Sequence, residues 1–148
     1  MMNLEELDPR YVLYGALSVL DNRLQACQNK AYPDMTMKQH FLLVSVNLFG
    51  DDYPTLKQAG DLLGCSYQNV KRLADQLDSK GYLRILADAA DKRKLRLVPT
   101  SKFQELDAEK NHLAEQFMDR LYTDVSEDEL RITLKTIQKM TGNITEDA

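Results

Sequence analysis

The chain has 148 residues, a length that suits a single domain, and its composition of 43% hydrophobic and 28% charged residues is typical of a globular protein. Two cysteines cannot build a disulfide framework, and two histidines leave little material for a metal site or a catalytic triad. We expect a cytoplasmic protein without a membrane partner, because the acidic N-terminus lacks a signal peptide and no stretch of about 18 apolar residues occurs.

The net charge of −4 argues against a nucleic-acid partner until its distribution is considered. Residues 55–102 contain ten Lys and Arg against five Asp and Glu, a local charge of +5. The rest of the chain carries nine basic and eighteen acidic residues. A basic middle between acidic ends favours a nucleic-acid contact in the middle of the chain.

The first part of the chain predicts two amphipathic helices. The first begins at Pro9, which Asp8 can cap, and ends before Pro33. The second begins at a capping box formed by Thr36 and Gln39. Their apolar stripes are Leu13, Leu17, Leu20, Leu24 and Cys27 in the first helix, and Met37, Phe41, Val44 and Leu48 in the second.

The basic segment predicts a helix-turn-helix. Thr55 and Gln58 form another capping box, and the short helix they begin ends at Gly64. Ser66 can cap a further helix, which stops at Gly81. The inward stripe of that helix is Val70, Leu73, Ala74 and Leu77. Two short helices joined by a tight glycine-containing turn are typical of DNA-binding modules.

Two strands are predicted next, at Leu83–Leu86 and Lys94–Val98. The loop between them, residues 87–93, is longer than the usual hairpin loop of about 2–5 residues. Pro99 and Ser101 are predicted to lead into a long helix. The residues on or near one stripe of that helix are Phe103, Leu106, Leu113, Phe117 and Leu121.

The last helix begins at a capping box formed by Ser126 and Glu129 and carries Leu130, Leu134, Ile137 and Met140 on its apolar stripe. A chain of this size that holds its DNA-binding module in the middle must bury its outer stripes against something. We therefore expect residues 1–32 and 101–148 to be dimerisation helices that pack on the same helices of a second copy.

The predicted second helix of the helix-turn-helix presents a polar face. At 100° per residue, Gln68 and Arg72 point away from the apolar stripe, flanked by Asn69 and Lys71. Glutamine and asparagine can read adenine, and arginine can read guanine. The alternative is a solvated helix face, which any surface helix shows. The candidate contacts here are Ser66, Tyr67, Gln68, Asn69, Lys71 and Arg72.

These residues resemble the MarR family of winged-helix transcriptional regulators, from about Thr36 to Met140. The matching positions are Gly64 at the helix-turn-helix glycine, the helix pattern Val70, Arg72, Leu73, Asp75 and Leu77, its exit Lys80-Gly81, and the wing motif Asp91-x-Arg93 followed by Pro99-Thr100. Gln68-Asn69 stand where many members carry Ser-Thr, Phe103 replaces a frequent glycine, and Pro99 replaces a leucine.

The resemblance implies a mainly α (α+β) fold, a winged helix-turn-helix with a two-stranded wing embedded between N- and C-terminal dimerisation helices. Residues 36–100 are then the DNA-binding lobe within a single domain of residues 1–148. It further implies a homodimeric repressor that binds a pseudo-palindromic operator in double-stranded DNA. A small-molecule or redox signal would release it.

With this resemblance, Arg93 is the wing residue expected to enter a narrow minor groove, where the electrostatic potential is most negative. Asp91 can brace its guanidinium by a bidentate pair. The alternative is a solvated surface ion pair. Lys92, Lys94 and Arg96 are expected to touch phosphates or nothing.

The resemblance also implies an effector pocket between the DNA-binding lobes and the dimerisation helices, for which Tyr11, Tyr14, His40 and Phe41 are the candidates. Core or surface positions are the alternative for each. Cys65 can sense oxidants or serve as a small apolar turn residue, and Cys27 is expected in the core or an interface.

No enzyme, cofactor or metal site is expected. The sequence has no glycine-rich phosphate loop, no nucleophile elbow, and no His-x-x-x-His or Cys-x-x-Cys spacing. The alternative function is a winged-helix protein-binding or scaffolding module whose basic face contacts an acidic partner. Steep salt dependence of duplex binding favours the regulator, and indifference to DNA favours the scaffold.

Overall fold

The computed structural model describes residues 3–145. These residues form a short 3-10 helix at Leu4–Glu6, six α-helices and one two-stranded antiparallel sheet. The elements are α1 (Pro9–Ala31), α2 (Met37–Leu48), α3 (Leu56–Leu63), α4 (Tyr67–Ser79), β1 (Leu83–Ala87), β2 (Leu95–Pro99), α5 (Ser101–Leu121) and α6 (Glu127–Thr145). This order confirms the predicted mainly helical winged helix-turn-helix. The chain divides after Glu109 into two compact units, and α5 contributes to both.

Helix starts lie where the sequence predicts them, because local side-chain caps satisfy the first backbone N–H groups of each helix. The Asp8 carboxylate accepts from the backbone N–H of Arg10, with Pro9 as the first residue of α1. Reciprocal capping boxes form at α2, α3 and α6. Their residue pairs are Thr36 and Gln39, Thr55 and Gln58, and Ser126 and Glu129.

The strands are shifted by one residue from their predicted ends. β1 continues to Ala87, and β2 begins at Leu95, so that Leu83 pairs with Pro99 and Ala87 with Leu95. Lys94 was predicted in the second strand but belongs to the loop, where its N–H donates to the carbonyl oxygen of Asp91. Pro99 is the last strand residue rather than part of the approach to α5. A proline is tolerated there because both strands of a two-stranded sheet are edges.

The core lies within the first unit and joins α2, α3, α4, the sheet and the start of α5. Its fully buried side chains include Leu42, Leu43, Val46, Leu56, Val70, Leu77, Leu83, Leu97 and Phe103. No residue of α1 or α6 is buried, and leucines and isoleucines of both helices stay exposed. None of the helices within residues 3–145 combines the length and apolarity that a membrane crossing requires.

Two glycines shape the helix-turn-helix. Gly64 ends α3 in the left-handed region, at φ +64°, where a residue without Cβ is favoured. Gly60 lies inside α3, where glycine costs helix stability. A Cβ at Gly60 would lie 3.1 Å from the carbonyl oxygen of Cys65 and 3.3 Å from Cγ1 of Val70. Gly60 is therefore small because the turn and α4 approach it closely.

We expect Gly60→Ala to destabilise the protein by about 1–3 kcal/mol despite the better helix propensity of alanine, because the added methyl group overpacks the contact with the turn. The matched control is Gly142→Ala in α6, where no atom of residues 3–145 beyond the local helix backbone and the two neighbouring residues lies within 4 Å of the added Cβ. That substitution should stabilise by up to about 1 kcal/mol. Urea unfolding of both variants measures the difference, and equal stabilisation by both would contradict close packing at Gly60.

Candidate nucleic-acid interface

The orientation of α4 is fixed by its cap and its buried face. The Ser66 hydroxyl oxygen accepts from the backbone N–H of Asn69 at 3.2 Å. Val70, Ala74 and Leu77 are fully buried in the core. These contacts confirm the predicted inward stripe, and they leave the opposite side of the helix to solvent.

The exposed side of α4 presents unengaged polar groups in its first two turns. Gln68, Asn69 and Arg72 are exposed, and within residues 3–145 no hydrogen bond or ion pair holds their side chains. Tyr67 is also exposed, and the hydroxyl of Ser66 is already used as the cap. An amide and a guanidinium that are not occupied within the chain can donate to and accept from the edges of bases.

Lys71, another predicted contact, is not unpaired in the structure. Its ammonium group pairs with the Asp75 carboxylate one turn further along α4. An exposed pair at this spacing contributes only about 0.3–0.5 kcal/mol, so a competing phosphate can open it at little cost.

The wing contains the predicted pair of Asp91 and Arg93. Nε of Arg93 lies 3.2 Å from Oδ1 of Asp91, and Nη2 lies 3.4 Å from Oδ2. The backbone N–H of Arg93 donates to the same carboxylate, and the Arg93 side chain is 92% exposed. The guanidinium and backbone N–H of Arg93 hold the pKa of Asp91 below its ordinary value. Asp91 therefore holds one side of the Arg93 guanidinium, and the other side stays open to solvent.

At the base of the wing, Arg96 departs from the expectation that it touches phosphates or nothing. Its guanidinium pairs with the Asp88 carboxylate and donates to the carbonyl oxygen of Tyr53. Asp88 also accepts from the backbone N–H groups of Ala90 and Asp91, and the Arg96 bond is the main cause of its lowered pKa. Arg96 is half-buried and engaged on both sides, so it fixes the loop instead of reaching for phosphate. Sequence alone could not show this, because Tyr53 lies 43 positions away.

Lys92 and Lys94 are exposed on either side of Arg93 and form no ion pair within the described chain. With Arg93 they place three positive charges in one loop. Such a loop is suited to contact phosphates, which supply affinity without reading sequence.

Two of the four predicted effector residues, Tyr11 and Tyr14, line a common groove. Tyr11 and Tyr14 are largely exposed and line a shallow groove with Arg10, which does not include His40 or Phe41. Phe41 is exposed on α2.

His40 has a different environment, which the sequence did not reveal. Its ring stacks on Tyr32 with the ring centres 4.2 Å apart, and its buried Nε2 has no hydrogen-bond partner within residues 3–145. Burial lowers the pKa of His40, and the nearby Asp107 carboxylate partly opposes that change. Burial also raises the pKa of Tyr32, with Asp107 adding to the effect. The only feature of the sequence that could have indicated this stack is Tyr32, an aromatic residue between the end of α1 and Pro33.

Cys27 and Cys65 are both half-buried and form no disulfide. Cys65 adjoins the cap of α4, and its thiol lies 3.8 Å from the carbonyl oxygen of Leu63. A redox role for Cys65 stays a prediction.

No family model matches the sequence, and no curated protein does. Solved structures resemble it at low identity. A MarR protein from Peptoclostridium difficile has a TM-score of 0.79 at 17% identity, over 99% of this chain and 95% of its own. S. aureus MepR, solved with DNA, has a TM-score of 0.76 at 20% identity, over 93% and 99% of the two chains. The protein has the MarR fold.

A third structure with the MarR fold is Bordetella bronchiseptica BpsR, whose DNA binding is regulated by 6-hydroxynicotinic acid. It has a TM-score of 0.73 at 20% identity, over 95% of this chain and 97% of its own. All three likenesses cover nearly the whole of both chains. The MarR fold therefore accounts for the terminal helices as well as for the helix-turn-helix and the wing.

The burial of His40 predicts a pH-dependent loss of stability. Burial favours the neutral imidazole, so the folded-state pKa lies below the ordinary 6.5 and protonation opposes folding. Stability should therefore fall as pH drops below about 6.5 towards the folded-state pKa, and level off below it. His40→Phe keeps a ring against Tyr32 but cannot titrate, so it should lack this loss.

Thermal unfolding at pH 7.5 and 5.5 measures the effect, with His40→Gln as a control that neither titrates nor stacks. His40→Gln should be less stable than His40→Phe at both pH values and share its weaker pH dependence. An equal fall in Tm for all three proteins between the two pH values would contradict the assignment.

Proposed function

We propose that this protein is a sequence-specific regulator of transcription that binds double-stranded DNA as a homodimer in the cytoplasm. The observation that carries the proposal is the set of unengaged side chains of Gln68, Asn69 and Arg72 on the exposed side of α4. They belong to the helix-turn-helix of a MarR fold, within a segment of net charge +5. A solvated helix face alone would explain neither the local charge nor the braced arginine of the wing.

In this proposal the first turns of α4 enter the major groove. The amides of Gln68 and Asn69 are suited to adenine, which offers a donor and an acceptor there, and Arg72 is suited to guanine, which offers two acceptors. Lys92 and Lys94 contact phosphates of the adjacent backbone. Lys71 exchanges its pairing with Asp75 for a phosphate, at little cost.

The proposed homodimer rests on the exposed apolar residues of the terminal helices. In α1, Leu13, Val19 and Leu20 are exposed, and in α6 Ile132, Leu134 and Ile137 are. Apolar surface of this kind on two long helices favours burial against a second copy. A symmetric dimer would present two α4 helices to half-sites about 34–36 Å apart, one turn of DNA, and its operator would be pseudo-palindromic.

We further propose that the protein is a repressor released by a small molecule. The support is the stack of His40 on Tyr32 with its unpartnered buried Nε2, a polar atom that a ligand could satisfy. The exposed rings of Tyr11, Tyr14 and Phe41 are the other candidates for such a site. A ligand that weakens DNA binding must itself bind more weakly to the DNA complex, by the same factor.

Selection of bound DNA from a random duplex pool at fixed salt tests the proposal. We expect enrichment of sequences with two related half-sites and a steep loss of affinity as salt rises. Gln68→Ala and Arg72→Ala should each relax preference at one base position, by about 1–3 kcal/mol. Lys94→Ala should weaken all sequences alike and flatten the salt slope by about one unit.

The three variants control for one another, because all remove an exposed side chain of the same lobe. A pool that stays random after selection would argue for the scaffolding alternative. Equal losses on every sequence in all three variants would show that α4 does not read bases.

The wing supplies a separate prediction. Arg93→Ala should lower operator affinity by roughly tenfold or more, as expected for loss of a charge-assisted contact, and leave folding unchanged. The loss should be larger on operators with A·T-rich flanks, whose minor groove is narrow. Asp91→Ala should weaken binding less, by about two- to threefold, because the arginine stays but loses its brace.

A double-mutant cycle separates the brace from the contact. The double variant should match Arg93→Ala, because Asp91 then has no guanidinium to hold. Strictly additive losses, or full affinity in Arg93→Ala, would remove Arg93 from this role.

A further inference from the structure

Gln39 is a buried polar side chain with more partners than its capping role needs. It is only 5% exposed. Its Oε1 accepts from the backbone N–H of Thr36 at 3.1 Å, which completes the capping box of α2. Its Nε2 donates to Oε1 of Gln76 on α4 at 2.9 Å. A capping box requires only the oxygen, so the second bond is a separate link between α2 and α4.

The orientation of the Gln39 amide follows from its neighbours. Thr36 N–H and the Lys80 ammonium group, whose Nζ lies 3.4 Å from Gln39 Oε1, are both donors. The amide oxygen must therefore face them, and the nitrogen must face Gln76. No flipped amide satisfies all three partners.

The C-terminal end of α4 is held by further polar bonds of the same kind. The Lys80 ammonium group donates to the carbonyl oxygen of Asp34, in the loop between α1 and α2. Lys102, at the start of α5, donates to the carbonyl oxygen of Lys80 at 2.7 Å and lies over the ring of Tyr82. The Thr100 hydroxyl donates to the carbonyl oxygen of Gly81.

We propose that Gln39 is a positioning residue for DNA reading, which sets the angle of α4 through its bond to Gln76 and its contact with Lys80. This inference rests on the proposed function. It assigns specificity to a residue that is buried away from the exposed side of α4 and touches no base.

The geometry explains why one bond at this end matters. The 13 residues of α4 span roughly 20 Å at 1.5 Å per residue. A tilt of about 5° about Gln76 would move the first turn, six to nine residues away, by about 1 Å. Hydrogen bonds to base edges tolerate only a few tenths of an ångström and lose strength steeply with angle. The apolar contacts of Val70 and Leu77 fix which face of α4 is buried, and the Gln39–Gln76 bond adds a directional restraint on the tilt of its C-terminal end.

Four variants isolate the bond. Gln39→Met and Gln76→Met each remove it with a side chain of similar length, and the double variant closes a mutant cycle. Gln76→Glu keeps an acceptor for Gln39 Nε2 and serves as the conservative rescue. Gln58→Met is the matched control, because Gln58 fills the same capping-box position in α3 and, among residues 3–145, has no partner on another helix.

Two readouts distinguish positioning from stability. The first is the ratio of affinities for the selected operator and a scrambled duplex, measured well below the melting temperature. The second is backbone hydrogen exchange of α4 in the protein without DNA. We expect Gln39→Met and Gln76→Met to lower the ratio about fivefold, the change expected from one hydrogen bond, with an unchanged salt slope.

The double variant should be no worse than either single variant, Gln76→Glu should restore most of the ratio, and Gln58→Met should keep it. Exchange should rise in the last two turns of α4 in the Met variants at positions 39 and 76.

Each contrary result has one meaning. A wild-type protein that binds operator and scrambled duplex equally would overturn the proposed function, and the positioning role with it. Wild-type discrimination that persists in a folded Gln39→Met variant would overturn the positioning role alone. Unchanged hydrogen exchange in α4 of the Gln39→Met variant would also overturn the positioning role, and this measurement does not involve DNA. A loss shared equally by Gln58→Met would show a general effect of damaged capping boxes.

Discussion

The buried stripe of α4 decides which side chains the protein offers to a ligand. Val70, Ala74 and Leu77 pack with no exposed surface against α2, α3 and β1. Because a helix repeats every 3.6 residues, burying these three leaves Gln68 and Arg72 on the opposite side. Gly60 contributes to the same constraint, since a Cβ there would lie 3.3 Å from Cγ1 of Val70, tighter than an ordinary contact. The polar face is thus a consequence of apolar packing.

The sequence predicted those features of the fold that depend on neighbours in the chain. The caps at Thr36, Thr55 and Ser126 each use a partner three residues away, so their pattern is visible in the sequence. Strand ends were one residue off: Lys94, for example, leaves the second strand because its N–H bonds to Asp91 within the loop. The bonds of Arg96 to Tyr53 and of Gln39 to Gln76 were missed because these partners lie 43 and 37 positions away. The capping-box pattern predicts that Oε1 of Gln39 accepts from the N–H of Thr36, but it does not predict a partner for Nε2.

The acidic residues within the basic segment, residues 55–102, determine where its positive charges lie. Asp75, Asp88 and Asp91 each pair with a cation of the segment. These pairs leave the net charge of +5 unchanged, but they determine where the positive groups stand. Asp88 fixes Arg96 inside the base of the wing, and Asp91 fixes Arg93 outside it. The acidic residues therefore organise the surface that the basic residues form, and exposed cations such as Lys92 supply its unpaired charge.

One short loop connects the half-buried His40 with the end of α4. The residues between α1 and α2 include Tyr32, which stacks on His40, and Asp34, whose carbonyl oxygen accepts from Lys80. Thr36 closes the loop and bonds to Gln39, the neighbour of His40. A ligand that entered between Tyr32 and His40 would have to move this loop, and with it the acceptors that hold the end of α4. The free energy of ligand binding there would then oppose the hydrogen bonds of Lys80 and Gln76 that hold the end of α4. Because such coupling is reciprocal, DNA that held α4 in its reading angle would tighten the loop and oppose entry of the ligand.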